Sequence, residues 1–232
     1  MDMLHRLTAF STLDGMAVGL LMLSYLVIGW RIEHPSAKEP SVSRIMANYR
    51  REWMRTMVSR QPRILDGAIL NTLRQGITFF ASTCLIAIGG GLALIGNAER
   101  LMGVAEDLTL SNTPIVIYEL KIIVVILFLT NALLKFIWSH RLFGYCAVLM
   151  AAVPNDPQDP TAMHRAEQAA TININAARAF NRGLRAIYFA LGSLAWLLGA
   201  PALILATGVT CWVLWRREFR STSRDALLRK EK

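Results

Sequence analysis

The chain has 232 residues, of which 54% are apolar and only 18% charged, and its mean hydropathy is +0.39. That is the composition of a membrane protein. Four apolar runs of about 20 residues or more leave no polar stretch long enough for a separate soluble catalytic domain. The 25 Lys and Arg exceed the 16 Asp and Glu, giving a net charge of +9. Such an excess elsewhere signals nucleic acid, but basic loops on the cytoplasmic side of a bilayer account for it here, and nucleic acid is not expected as a partner.

The first predicted span, about residues 9–30, closes on Trp30 and Arg31, an aromatic and a cation suited to a membrane interface. Asp14 interrupts it, it is longer than a signal-peptide core, and no small-residue cleavage site follows, so it reads as a retained helix. Gly15 and Gly19 form a GxxxG pattern, at which helix backbones approach closely. After Pro35 and Pro40, residues 41–61 place Val42, Ile45, Met46, Tyr49, Trp53 and Met57 at spacings of three and four. Arg44, Arg50, Arg51, Arg55 and Arg60 occupy the other faces, which predicts a basic amphipathic helix lying on an anionic leaflet.

A second helix starts after Pro62, passes Asp66, Asn71, Arg74 and Gln75, and spans about residues 76–96. Its Gly89, Gly90 and Gly91 read either as a close-packing site or as a locally unwound stretch exposing carbonyls to an ion. The connector 97–114 carries Arg100 against Glu99, Glu106 and Asp107, whereas residues 31–75 carry nine Lys and Arg, so the two lie on opposite sides. The third span, about 116–138, has Glu119 and Lys121 at one end and Lys135 at the other, and its helical pattern runs on to about Val153.

Prolines 154, 157 and 160 end that helix. Residues 161–185 form an Ala-rich basic segment in which Arg178, Arg182 and Arg185 share one face. The fourth span, about 187–214, lies in an apolar run that is kinked or broken near Gly199 and Pro201. Four single crossings would put the tail 216–232, with seven Lys and Arg, opposite the other basic linkers. Two half-helices meeting at Pro201 would return it, but each half of about 14 residues is too short to span, so four crossings are expected.

The expected fold class is therefore all-α: a polytopic membrane helix bundle of four transmembrane helices plus a basic amphipathic interfacial helix, one membrane domain over residues 1–232. Cys84, Cys146 and Cys211 lie far apart inside apolar runs, and His5, His34, His140 and His164 are scattered, so no disulfide framework, metal site or cofactor is expected. No nucleophile, zinc or phosphate-loop motif appears, and no catalysis is expected.

The stretch from Lys135 and Phe136 through Trp138, Ser139, Arg141 and Tyr145 to Cys146, with Phe180 to Arg185, Tyr188, Phe189 and the ending Arg216-Arg217-Glu218-Phe219, resembles the bacterial and plant integral membrane proteins grouped as domain of unknown function 599. The resemblance runs along essentially the whole chain. It implies a four-helix membrane protein, and no activity, cofactor or catalytic residue comes with it.

Charges inside spans are the functional candidates, since each costs roughly 2.5–3.5 kcal/mol on insertion scales. Asp14, Glu119, Lys121 and Lys135 are candidates for an ion or solute pathway, with Asp14 and Lys121 at similar depth. Arg74, His140, Arg141, Arg178, Asn181, Arg182 and Arg185 are candidates for binding an anionic lipid or solute. The expected function is an oligomeric channel or transporter-like protein for a small ion or solute in the bacterial inner membrane. The alternative is a non-catalytic accessory or scaffold subunit of a membrane complex that binds anionic phospholipid. Partners are accordingly the bilayer, anionic phospholipids, and either further copies of the chain or the subunits of a complex.

Overall fold

The computed structural model describes residues 11–97 and 115–229. The acidic connector with Glu99, Arg100, Glu106 and Asp107, the first ten residues and the last three lie outside them. Seven helices follow in order among the described residues, with no strand: α1 (Thr12–Glu33), α2 (Val42–Met57), α3 (Ile64–Ile95), α4 (Ile115–Ala151), α5 (Ala162–Ser193), α6 (Ala200–Phe219) and α7 (Thr222–Leu228). A short 3-10 turn, Leu194–Leu198, separates α5 from α6.

Helices α1, α3 and α4 are long and apolar enough to cross a membrane. They leave Leu23, Leu26, Phe79, Leu85, Ile86 and Leu127 largely exposed. A surface of that kind is unfavourable in water and natural against hydrocarbon. Helix α4 has 37 residues, about 55 Å at 1.5 Å per residue, which matches the expectation of a helix longer than a bilayer needs.

The fourth span differs from the expectation. Residues 186–215 are not one helix: α5 stops at Ser193, the backbone tightens into the 3-10 turn, and Gly199 adopts φ 112° before α6 begins at Ala200. Only glycine takes that conformation without a steric cost. Pro201 then sits in the first turn of α6, where its missing N–H costs nothing. Helix α5 is 32 residues long and joins the basic segment 161–185 to the start of the apolar run, and neither α5 nor α6 is among the helices long and apolar enough to cross a membrane.

The chain divides into two compact units by its contacts. The first comprises Met1–Arg31, Cys84–Ala132 and Leu184–Arg216. Its core holds Leu21, Tyr118, Phe128, Phe189, Trp196 and Leu203. Tyr25 meets Phe128 and Phe189 edge-on, each at 5.3 Å between ring centroids, and accepts a hydrogen bond from Asn131 Nδ2 at 2.7 Å. Helix α3 runs unbroken through Gly89, Gly90 and Gly91, so the unwound-helix alternative is not realised. A Cβ on Gly91 would come within 2.9 Å of Ile126, whereas Gly15, Gly19, Gly89 and Gly90 have nothing within 4 Å of a Cβ and make no such close approach.

The second unit comprises Ile32–Thr83, Leu133–Gly183 and Arg217–Lys232. Helix α5 enters it with Ala162, Ala166, Ala169, Asn173, Ala176 and Gly183, a buried stripe at helical spacing. A Cβ on Gly183 would lie only 2.6 Å from the Phe136 ring, which stacks on Phe80 at 5.7 Å and tilts against Phe180 at 5.6 Å. Helix α2 is capped by Ser41, whose hydroxyl accepts from Arg44 N and donates to Ile32 O at 2.9 Å. It buries Ile45, Met54 and Met57 against protein and leaves Met46 and Tyr49 exposed, so its apolar face is narrower than the sequence spacing predicts.

The tail belongs to this unit. Glu218 accepts from Ser43 N and Oγ, each at 3.0 Å, Arg220 pairs with Glu39 at 3.4 Å, and Arg224 Nε donates to Pro40 O at 3.0 Å. The basic tail thus lies with the basic linker 31–75, which replaces the expected placement on the opposite side.

Candidate functional site

In the first unit the sequence candidates Asp14, Lys121 and, unforeseen, Trp196 come together. Ser11 Oγ accepts from Asp14 N at 3.1 Å, and the Asp14 carboxylate accepts from Ser11 Oγ at 2.8 Å and Ser11 N at 3.3 Å. That reciprocal arrangement is a capping box starting α1. The other carboxylate oxygen accepts from Trp196 Nε1 at 2.7 Å. Lys121 is buried, with its ammonium 5.0 Å from the Tyr118 ring centroid and 5.9 Å from that of Trp196. Its charge and that of Asp14 attract, but no direct salt bridge joins them. Glu119 is half-buried one residue after Tyr118. All the polar valences shown for Asp14 are thus spent on holding α1 and the 3-10 turn.

The candidates for binding an anionic lipid or solute divide between the two units. Arg185, buried at the start of the first unit's last segment, passes 3.8 Å from the Cβ position of Gly29. Arg74, Lys135, His140, Arg141, Arg178, Asn181 and Arg182 belong to the second unit. There Arg182 forms a two-point ion pair with Glu33, and Arg141 donates to the Tyr145 hydroxyl at 2.9 Å. Arg178 reaches Asn175 at 3.4 Å, and Asn181 Nδ2 donates to Ser43 Oγ, extending the Ser43–Glu218 contact. Lys135 and His140 are half-buried on α4.

Three further charged groups carry weight that sequence spacing concealed. Arg50 turns inward rather than outward, donating to Asn173 Oδ1 at 2.6 Å, while Asn173 Nδ2 points to Cys146 Sγ at 3.5 Å. Burial pulls the Arg50 guanidinium below its ordinary range, and it stays protonated. Asp66 is fully buried and accepts from Trp53 Nε1 at 2.7 Å and from Arg60. Arg63 spreads its two Nη groups over the carbonyls of Val153, Pro154 and Val58, closing the ends of α2 and α4. Such partners sit far apart in sequence, and only the repeat 63, 67, 70–71, 74 along one face of α3 is legible beforehand.

That face lines a cavity of about 260 Å³ within the second unit. Arg63, Asn71 and Arg74 supply its polar groups, and Met57, Leu70 and Met150 its apolar wall. None of its lining residues is acidic. Arg74 is half-buried, with its Nε shielded from solvent and without an acceptor, and the Nε of Arg63 is in the same condition. A desolvated guanidinium lacking a carboxylate favours an anion, which it holds by charge-assisted, often bidentate hydrogen bonds.

Neither the curated proteins nor the solved structures contain a match to this chain. The family described as "Protein of unknown function, DUF599" matches residues 16–223. That match runs from within α1 to the start of α7 and takes in the greater part of both units, leaving Ser11 and Asp14 just before it, and the chain belongs to this DUF599 family.

Proposed function

We propose that this is a non-catalytic membrane protein that binds anionic phospholipid through its second unit and so serves as a scaffold or accessory subunit in the bacterial inner membrane. The observation that carries the reading is the distribution of charge. Among the described residues, the second unit has 17 Lys and Arg against 9 Asp and Glu, whereas the first has 4 against 2. Linker, α2, α5 and tail therefore supply one strongly basic body, which the positive-inside rule orients toward the anionic cytoplasmic leaflet. Each Lys or Arg near such a surface adds about 1 kcal/mol of attraction. The test is lipid analysis of protein purified in mild uncharged detergent from a membrane of mixed headgroups. Retained lipid enriched in anionic species supports the reading; retained lipid matching the bulk membrane composition overturns it.

A second reading has its own observation. Lys121, buried beside Asp14, is an ionisable group inside a span, and such groups commonly mark pathways. In this reading the chain forms an oligomer that passes a small ion or solute between protomers. Flux through proteoliposomes that disappears on Lys121→Met supports it; flux no greater than in empty liposomes ends it.

A further inference from the structure

We propose that the cavity beside Arg74 is a specific seat for one phosphate-bearing lipid headgroup, a phosphodiester monoanion, with the lipid's chains leaving along the apolar wall. This rests on the anionic-lipid reading and narrows it from a charged surface to a single site. Three features converge. First, two guanidinium groups line the cavity and no acid does, so the chain leaves the local positive charge unbalanced. The nearest buried carboxylate along the same helix, Asp66, meets Trp53 and Arg60 through Oδ1 while its Oδ2 has no partner, and it does not line the cavity.

Second, the two arginines are not equivalent. Arg63 has its Nη groups on three main-chain carbonyls, which fixes its position and leaves its charge as a background field. Arg74 makes no side-chain hydrogen bond or ion pair among the described residues, so its fork is available to two oxygens of a ligand. Asn71, one turn earlier on the same face, adds a neutral donor.

Third, size and lining select the ligand. About 260 Å³ is smaller than the roughly 300–1,000 Å³ that encloses a drug-sized solute, and it suits a headgroup whose remainder lies outside. Met57, Leu70 and Met150 offer methylene surface rather than the polar shell that a free, fully hydrated phosphate would need. Gly67 sits in the same wall with nothing within 4 Å of its Cβ position, so space remains open there.

The experiment uses the full chain in uncharged detergent, with short-chain phosphatidylglycerol as probe and native mass spectrometry plus titration as readouts. Short-chain phosphatidylcholine and inorganic phosphate are the comparison arms. The proposal expects one phosphatidylglycerol per chain, bound at least about tenfold more weakly by Arg74→Gln, which removes a charged donor, and by Gly67→Leu, which fills the cavity without touching charge. It expects Arg44→Gln, on the exposed side of α2, to bind as the parent does. Undiminished binding by Arg74→Gln, or inorganic phosphate competing at the lipid's own affinity, overturns the seat. Equal losses in Arg44→Gln and Arg74→Gln also overturn it while leaving the broader lipid reading standing. Absence of any preference for phosphatidylglycerol over phosphatidylcholine in the parent protein sinks both.

Discussion

Gly183→Ala is the sharpest probe of the packing in the second unit. The new Cβ would stand 2.6 Å from one Phe136 ring carbon and 2.9 Å from two others, against an ordinary contact of about 3.5–4.0 Å. The ring must therefore retreat by about 1 Å. It is fully buried and held by Phe80 and Phe180, so it has nowhere to go without moving them. Overpacking of this kind costs about 1–3 kcal/mol, partly offset by the gain of about 1 kcal/mol from replacing glycine in a helix. Gly144→Ala on α4 supplies the control, because its Cβ meets nothing within 4 Å and only the helix gain applies. The two variants should differ by about 1–3 kcal/mol, or about 2–12 °C in melting temperature for a chain of this size. Thermal unfolding in mild detergent, followed with a thiol-reactive dye on the buried Cys84 and Cys146, reads the difference. Adding Phe136→Leu should recover part of the loss in Gly183→Ala. Equal melting of the two alanine variants, or strict additivity with Phe136→Leu, would refute the reasoning.

Three further perturbations test the polar contacts. Asp14→Asn and Trp196→Phe should each lower the melting temperature by about 2–4 °C, reflecting about 1 kcal/mol for a cap or hydrogen bond, and the double variant should lose less than the sum; additive losses would mean that the two do not act as a pair. Asn173→Leu strands the half-buried Arg50 guanidinium and should cost about 1–3 kcal/mol, of which Arg50→Met in the same chain should restore a part by removing the unpaired charge; a double variant no better than Asn173→Leu would contradict this. Asp159 accepts from the Thr161 hydroxyl and N–H, which hold its carboxyl below the ordinary carboxylate value. A lowered folded-state value means that its contribution is present above about pH 4 and fades as pH falls through that lowered value. The margin of the parent over Asp159→Ala should therefore shrink in acid, and a margin constant from neutral to acid pH would be inconsistent with it.

Much of the candidate site was hidden because its partners are distant. Asp14, Lys121 and the arginines stand out in sequence simply as charges among apolar residues. Nothing local indicates that Trp196, 182 positions later, donates to Asp14, or that Arg50 turns inward to Asn173. Arg63 and Arg74 look alike as cations on one helix face. They separate only when the carbonyls of Val153 and Pro154 occupy one and leave the other unpaired.

The same division runs through the fold. Apolar length, proline breaks and the charge of the linkers are local properties, because desolvating backbone and side chains is a cost that each segment meets for itself. They sufficed for an all-α membrane chain, for α1, α3 and α4 as helices long and apolar enough to cross a membrane, for a basic amphipathic helix after Pro40, and for an α4 longer than a bilayer needs. The end of the chain was a different matter. Whether residues 186–215 make one span depends on a single backbone conformation at Gly199 and on how far α5 extends backward through Ala-rich sequence, and a hydropathy window senses neither. That the tail meets the linker after α1 rests on Glu218 meeting Ser43 and Arg220 meeting Glu39, contacts between segments about 180 positions apart whose gain exists only once the helices are packed.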